Sequence, residues 1–327
     1  MAAGVYTDMA IYQAEFQTGL VERISQNINA FNEASRGAIR LVPNALRGHY
    51  GKSAFFKEIA SLVARRDISS VAAVSDTKMT QDEVISVKIN RRIGPVAQTL
   101  DAIKKAGLNE AQASRAFGVF AADAKFKDML NTALIAVERA IQDNTAMNLT
   151  ITSESTATVH AEALIRTIAK FGDAAGQIVA FVGHSKPWYD LLGGLAAGTT
   201  TGLADIVTIQ GGIPATLGRA FIVTDAPALT DANGSAADSY NTLGLVREAV
   251  VVEESEDESF VTEIVSGLAN LTRRWQAEYA YNLTVKGFKY DVSVGVNPTD
   301  ANVGASSSWD QVATDDKQTA GVRLVSL

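Results

Sequence analysis

Between Asp123 and Asn144 apolar residues return at every third or fourth position, as Phe126, Met129, Leu130, Ala133, Leu134, Val137, Ala140 and Ile141. That spacing places them on one face of a helix, with Lys125, Lys127, Asp128, Asn131, Glu138, Arg139 and Gln142 opposite. Such a helix runs roughly 30 Å, about the width of a small domain, so several other elements can pack on it. Ile135 breaks the pattern by falling in the middle of the polar face. Phe117, Phe120 and Ala121 lie about half a turn away from the stripe that opens at Phe126, which predicts a start near Asp123 after a break.

Ahead of this stretch, Tyr12, Phe16, Leu20, Ile24, Ile28 and Phe31 predict amphipathic helix that ends over Asn32–Gly37. Pro43 and Gly48 mark irregular chain, and Ser53 reads as the cap of a short helix carrying Phe56, Ile59 and Val63. The period then becomes twofold. Ile85, Val87 and Ile89 alternate with Ser86, Lys88 and Asn90, a half-buried strand, with Val71–Val74 as its expected partner and Ser75–Gln81 as a polar tip. A two-stranded arm of this kind is marginal alone and needs another surface. Pro95 restarts a helix through Val96, Leu100 and Ile103 to Gly107, and Asn109 with Gln112 reads as a capping pair for the next.

After Asn144 the pattern predicts a helix with Ala161, Leu164, Ile165, Ile168 and Phe171, then a compact α/β region. Strands are expected at Gln177–Val182, Ala204–Ile209, Ala220–Thr224 and Leu245–Val252. Ser185 is expected to cap a helix closed by Gly193 and Gly194. Phe288–Val296 alternates as a last strand, Asn297-Pro298 ends it, and a polar tail follows.

Composition narrows the function. A chain of 327 residues, 47% apolar, can bury a sizeable core. It has no apolar run long enough for a membrane helix and no secretory start, which points to a protein kept in the cytosol. The absence of cysteine removes disulfides, thiolate metal sites and cysteine nucleophiles. A formal charge of -7 argues against a protein that grips nucleic acid, because phosphate binding needs clustered Lys and Arg.

No catalytic constellation emerges, and no cofactor or metal site is expected. Gly51-Lys52-Ser53 resembles the end of a phosphate-binding loop, but Leu46 stands where that loop needs glycine. His49, His160 and His184 lack partners at metal-ligand spacing. Ser185 lacks the glycines of a nucleophile elbow. Gly211-Gly212-Ile213-Pro214 and Leu217-Gly218 lack dinucleotide-loop spacing. The acidic run Glu253–Glu258 lacks the ligand alternation of a calcium loop. Arg91-Arg92, Lys104-Lys105 and Arg273-Arg274 are isolated pairs. What remains is a chain whose parts need another surface, which suggests assembly.

Four stretches carry a resemblance. An arm and a projecting loop precede the long helix. Ala180–Leu192 reads as strand then helix, and Gly212–Asp225 as loop, strand and aspartate. Tyr281–Tyr290 followed by Gly295-Val296-Asn297-Pro298-Thr299 reads as a late strand ending in Gly-Phe and Asn-Pro. In this order they resemble the major capsid proteins of tailed double-stranded-DNA bacteriophages, with the Hong-Kong-97-type fold.

The resemblance implies an α+β fold with an N-terminal arm (1–45) and an extended projecting loop region (46–100). It further implies a peripheral domain (101–158 and 245–327) holding the spine helix 123–144, and an axial domain (159–244). It implies a structural, non-enzymatic subunit forming pentamers and hexamers of an icosahedral virion capsid, assembled in the bacterial host cytoplasm. Scaffolding, portal and decoration proteins are the implied partners, and packaged DNA would be touched only weakly and non-specifically. An encapsulin-type nanocompartment shell and a cytosolic α/β enzyme are the alternatives. Ile135 is the subunit-interface candidate, either covered by a neighbouring element or simply a lone exposed apolar residue.

Overall fold

A single helix of 34 residues lies against both of the large sheets and sets how the rest of the chain is arranged. The computed structural model describes residues 23, 28, 31–43, 48–57, 63, 65–66, 68–71, 73–105, 110–198, 219–231, 238–255, 259–267 and 269–327. Of the expected N-terminal helix, residues 23, 28 and 31–34 are described and are helical; the rest of that expectation lies outside the described residues.

The first half of the chain contributes β1 (Ile39–Pro43), β2 (Tyr50–Phe56), the long β3 (Gln81–Thr99), α1 (Leu100–Lys105) and α2 (Glu110–Asp143), the 34-residue helix. Next come β4 (Asn148–Thr150), α3 (Ala161–Ala169), β5 (Ile178–Gly183), α4 (Ser185–Gly198) and β6 (Ala220–Val223). Then follow β7 (Thr230–Asp231), β8 (Ser239–Val246), β9 (Val250–Glu254), β10 (Ser259–Val265) and β11 (Thr272–Val285). The chain closes with β12 (Phe288–Tyr290), α5 (Asp300–Val303), β13 (Trp309–Gln311) and β14 (Gly321–Ser326).

Among the described residues, one six-stranded sheet runs β1-β9-β11-β3-β2, with β10 also on β11. A second runs β4-β14-β8-β5-β6, with β7 on β8, and β12 pairs with β13. The fold is therefore α+β, as expected. The main core lies between α2 and the two sheets, around Met129, Leu134, Val137, Tyr281, Leu283 and Leu324. A smaller cluster, where Phe117 stacks on Trp275 at 5.5 Å, fixes the first half of α2 over the far end of the first sheet.

Several expectations are corrected. The long helix starts at Glu110, not near Asp123; the shift of its apolar stripe marks a change in what it packs on, from the smaller cluster to the main core. Ser53 lies inside strand β2, which takes the place beside β3 that was expected for Val71–Val74. Val71 and Val74 belong to no strand and are fully exposed. Residues 95–99 continue β3 because their backbone pairs with β11, which overrides the helical spacing. Gly107 and Asn109 lie outside the described residues.

Leu245–Val252 is not one strand. It breaks at Arg247–Ala249, where Glu248 adopts φ 56°, because β8 belongs to the second sheet and β9 to the first. Phe288–Val296 pairs only as far as Tyr290, where the Asp291 side chain accepts from the Ser293 N–H and caps a 3-10 turn. The expected polar tail contains β14, buried along its whole length between β4 and β8. α4 runs past Gly193 and Gly194. The strand expected at Ala204–Ile209 lies outside the described residues.

Candidate assembly surfaces

Lys127 of the face of α2 that reads as polar in the sequence is exposed, but Lys125 and Glu138 are buried and, with Asp128 and Arg139, make specific bonds of the fold. Towards the first sheet, Lys125 Nζ lies 2.7 Å from Glu254 Oε1. One turn on, Asp128 Oδ2 accepts from the hydroxyls of Tyr279 (2.9 Å) and Tyr281 (3.2 Å) and pairs with Arg91 Nε (3.1 Å). Arg91 also donates to Thr132 Oγ1 at 3.2 Å and pairs with Asp300. Burial, then the charge of Asp128, pushes both tyrosine hydroxyls well above their ordinary value, so they stay protonated donors.

Towards the second sheet the same helix closes a ring of four charges. Glu138 Oε1 meets Arg323 Nε of β14 at 2.7 Å, and Glu138 Oε2 meets Arg139 Nε at 2.8 Å. Asp231 of β7 completes the ring, with Oδ1 2.7 Å from Arg139 and Oδ2 3.2 Å from Arg323, while Asn241 of β8 donates to it at 2.9 Å. The ring is neutral when both carboxylates are ionised. Glu138 has 0% exposure, and burial, opposed by its arginines, pushes its pKa up to about 7. For Asp231 burial also acts upward, but the bonds from Asn241 and Arg139 outweigh it and hold the carboxyl below its usual range.

Ile135 sits between these two sets of bonds, half-buried against the main core. It lines a crevice of about 220 Å³ together with Glu138, Arg139, Pro227, Ala228, Asp300 and Gly304. A Cβ on Gly304 would come within 3.2 Å of Ile135 Cγ2, so α5 covers one side of the isoleucine closely.

The most exposed apolar chain lies elsewhere. The Lys57 N–H donates to Thr80 O at 2.9 Å and Lys57 Nζ holds Asp82 at 2.8 Å, pinning together the two ends of residues 58–79. The described residues of this loop belong to no helix or strand. Val63 (92%), Val71 (104%) and Val74 (92%) are as exposed as in a free chain, with Ile68 little less so and Met79 at 62%.

Among the described residues, those weighed for chemistry make structural contacts. His184 Nε2 lies 3.4 Å from Asp225 Oδ1, and Ser185 Oγ lies 3.4 Å from His184 Nδ1. These groups serve the start of α4: the Ser185 N–H donates to Asp225 (3.1 Å) and the Lys186 N–H to His184 Nδ1 (3.3 Å). His184, not Ser185, is therefore the capping residue. Gly51-Lys52-Ser53 is strand, and Lys52 pairs with Glu83 at 3.1 Å. Gly211–Pro214, Leu217-Gly218 and 256–258 of the acidic run lie outside the described residues. Among the described residues no group of three or more His, Asp or Glu is arranged to hold a metal, and no helix is long and apolar enough to cross a membrane.

One long helix lying against two mixed sheets defines the class: a capsid subunit of the Hong-Kong-97-type fold. The sequence matches the Gp13-like family, described as major capsid protein 13-like, over residues 8–323, and the chain belongs to that family. It is a structural major capsid protein of the tailed-phage type, at home in the virion capsid.

Solved structures share the fold at low identity. The capsid of cyanophage Pam1 matches with a TM-score of 0.51 and 11% identity, over 88% of this chain and 87% of that one. The capsid of Ralstonia phage GP4 matches at 0.51 and 10%, over 89% and 87%. A structure from Mycobacterium phage Cain matches at 0.51 and 12%, over 86% and 90%. No curated protein matches the sequence.

Proposed function

We propose that this chain assembles with copies of itself as pentamers and hexamers that close into an icosahedral shell around a double-stranded DNA genome. The observation that carries this reading is the loop 58–79. Among its described residues Val63, Val71 and Val74 are fully exposed, and large apolar side chains left open in this way need a covering surface. A neighbouring subunit supplies one. The division into arm (1–45), loop region (46–100), peripheral domain (101–158 and 245–327) and axial domain (159–244) belongs to this proposal. The proposal amends those bounds at two strands: β4 and β14, which fall within the peripheral ranges, pair within the second sheet and go with the axial unit.

Scaffolding, portal and decoration proteins are the expected partners, and assembly takes place in the host cytoplasm. DNA meets the shell only by weak, non-specific contact, in keeping with the net negative charge. Ile135 is assigned to a subunit interface. Negative-stain microscopy of the purified chain, alone and with its phage partners, tests the reading. Closed shells are the expected result, and small oligomers that never close would overturn it. DNA-free shells loaded with a protein cargo would favour a nanocompartment instead.

A further inference from the structure

One row of the first sheet carries three groups that can react with one another. Glu253 of β9, Asn282 of β11 and Lys88 of β3 stand directly opposite one another on three neighbouring strands. The adjoining row, Val252, Leu283 and Val87, points into the main core, so these three side chains share the opposite face of the sheet. Even there, Asn282 is 0% exposed and Lys88 only 5%.

Asn282 differs from the other buried asparagines of the described residues. Asn144 donates to Asp316 Oδ1 and Asn241 to Asp231 Oδ2, whereas among the described residues neither Nδ2 nor Oδ1 of Asn282 has a hydrogen-bond partner. A buried amide idle at both atoms is costly and calls for an explanation. Directly opposed residues on neighbouring strands have Cβ atoms about 5 Å apart, so the stem of Lys88 is long enough to bring its amine to the Asn282 amide, and Glu253 can reach the same amide from the other side.

We propose that Lys88 and Asn282 join in an isopeptide bond within one chain, with Glu253 as the proton carrier. One proton of the Lys88 ammonium passes to the Glu253 carboxylate, and the freed amine attacks Asn282 Cγ. Glu253 delivers that proton to Nδ2, the Cγ–Nδ2 bond breaks, and the proton shed by the acylated Lys88 nitrogen leaves with the ammonia as ammonium. Glu253 ends ionised, as it began, and no oxidant or further reactant is consumed. The bond ties β3, the strand at the base of loop 58–79, covalently to β11 in the middle of the sheet. It lies within a single subunit and needs no shell in order to form.

The full-length folded chain is weighed by intact mass spectrometry and then digested with trypsin. The expected mass is below that of the sequence by one ammonia, and the digest should hold peptide 79–91 joined to peptide 275–286, since trypsin does not cut at an acylated Lys88. Lys88→Arg should restore the full mass. Glu253→Gln should slow bond formation by roughly a hundredfold or more, read as the linked fraction over time after refolding. A folded wild-type chain of full mass overturns the proposal. So does a loss of ammonia without the linked peptides, which marks cyclisation of an asparagine onto its own backbone. A linked pair confined to denaturant-resistant dimers also overturns it, because the bond then lies between chains. Equal rates in the wild type and Glu253→Gln overturn the role given to Glu253.

Discussion

Glu138 Oε1, on the long helix, stands 2.7 Å from Arg323 Nε, on the last strand, and the glutamate is wholly buried. The two residues are far apart in sequence, and their contact joins the helix to the middle of the second sheet. Burying a carboxylate is costly even beside arginines, since desolvation offsets much of the Coulombic attraction. That balance makes the contact sensitive to pH.

Burial raises the Glu138 pKa from 4.5 to about 7 in the fold, so its contribution to stability is fully present below 4.5 and is lost as pH rises through 7. Glu138→Gln mimics the protonated form and removes this dependence. Relative to the wild type, the variant should gain up to about 3 kcal/mol between pH 4.5 and 8. Urea titrations at a series of pH values measure the difference, and a gap that stays constant with pH would contradict the assignment.

Asp128 accepts from two tyrosines and pairs with Arg91. Asp128→Ala strands these donors in a mostly buried site and should cost about 2–4 kcal/mol, with partly compensating bonds to Thr132 and Asp300 setting the lower end. A shift in denaturant midpoint below about 1 kcal/mol would mean the cluster contributes little.

Ile135→Lys should impair shell formation while leaving the subunit's helical signal and melting temperature close to the wild type. The lysine stem can lie along the crevice and keep its ammonium in water. Normal shells from this variant would make Ile135 an ordinary surface residue.

Two glycines should respond with opposite signs. A Cβ on Gly321, at φ 154°, would overlap the Gly244 carbonyl, so Gly321→Ala should destabilise by several kcal/mol. Gly193, within α4, has open space around a Cβ, and Gly193→Ala should stabilise by about 0.4–1 kcal/mol. Denaturant midpoints at unchanged slope check both.

The sequence by itself determined the elements whose pattern reports local geometry. The stripe from Phe126 to Ile141, the alternation from Ile85 to Ile89, and the segments at Ala161–Phe171, Gln177–Val182 and Ala220–Thr224 all correspond to observed elements. The long helix and the order of motifs also sufficed to suggest the family. β11 was legible too, since Trp275, Ala277, Tyr279, Tyr281, Leu283 and Val285 alternate with Gln276, Glu278, Ala280, Asn282 and Thr284.

Only the tertiary structure decided which partners those elements take. β2 pairs with β3 through backbone bonds that any side chain can make, so its composition gave no sign of it. The charged face of α2 reads as a solvated face, because periodicity records where polar groups lie and not what they meet. Their partners at Arg91, Asp231, Glu254 and Arg323 come from distant parts of the chain. The same holds for Ile135, whose crevice exists only once Pro227 and Gly304 are folded beside it.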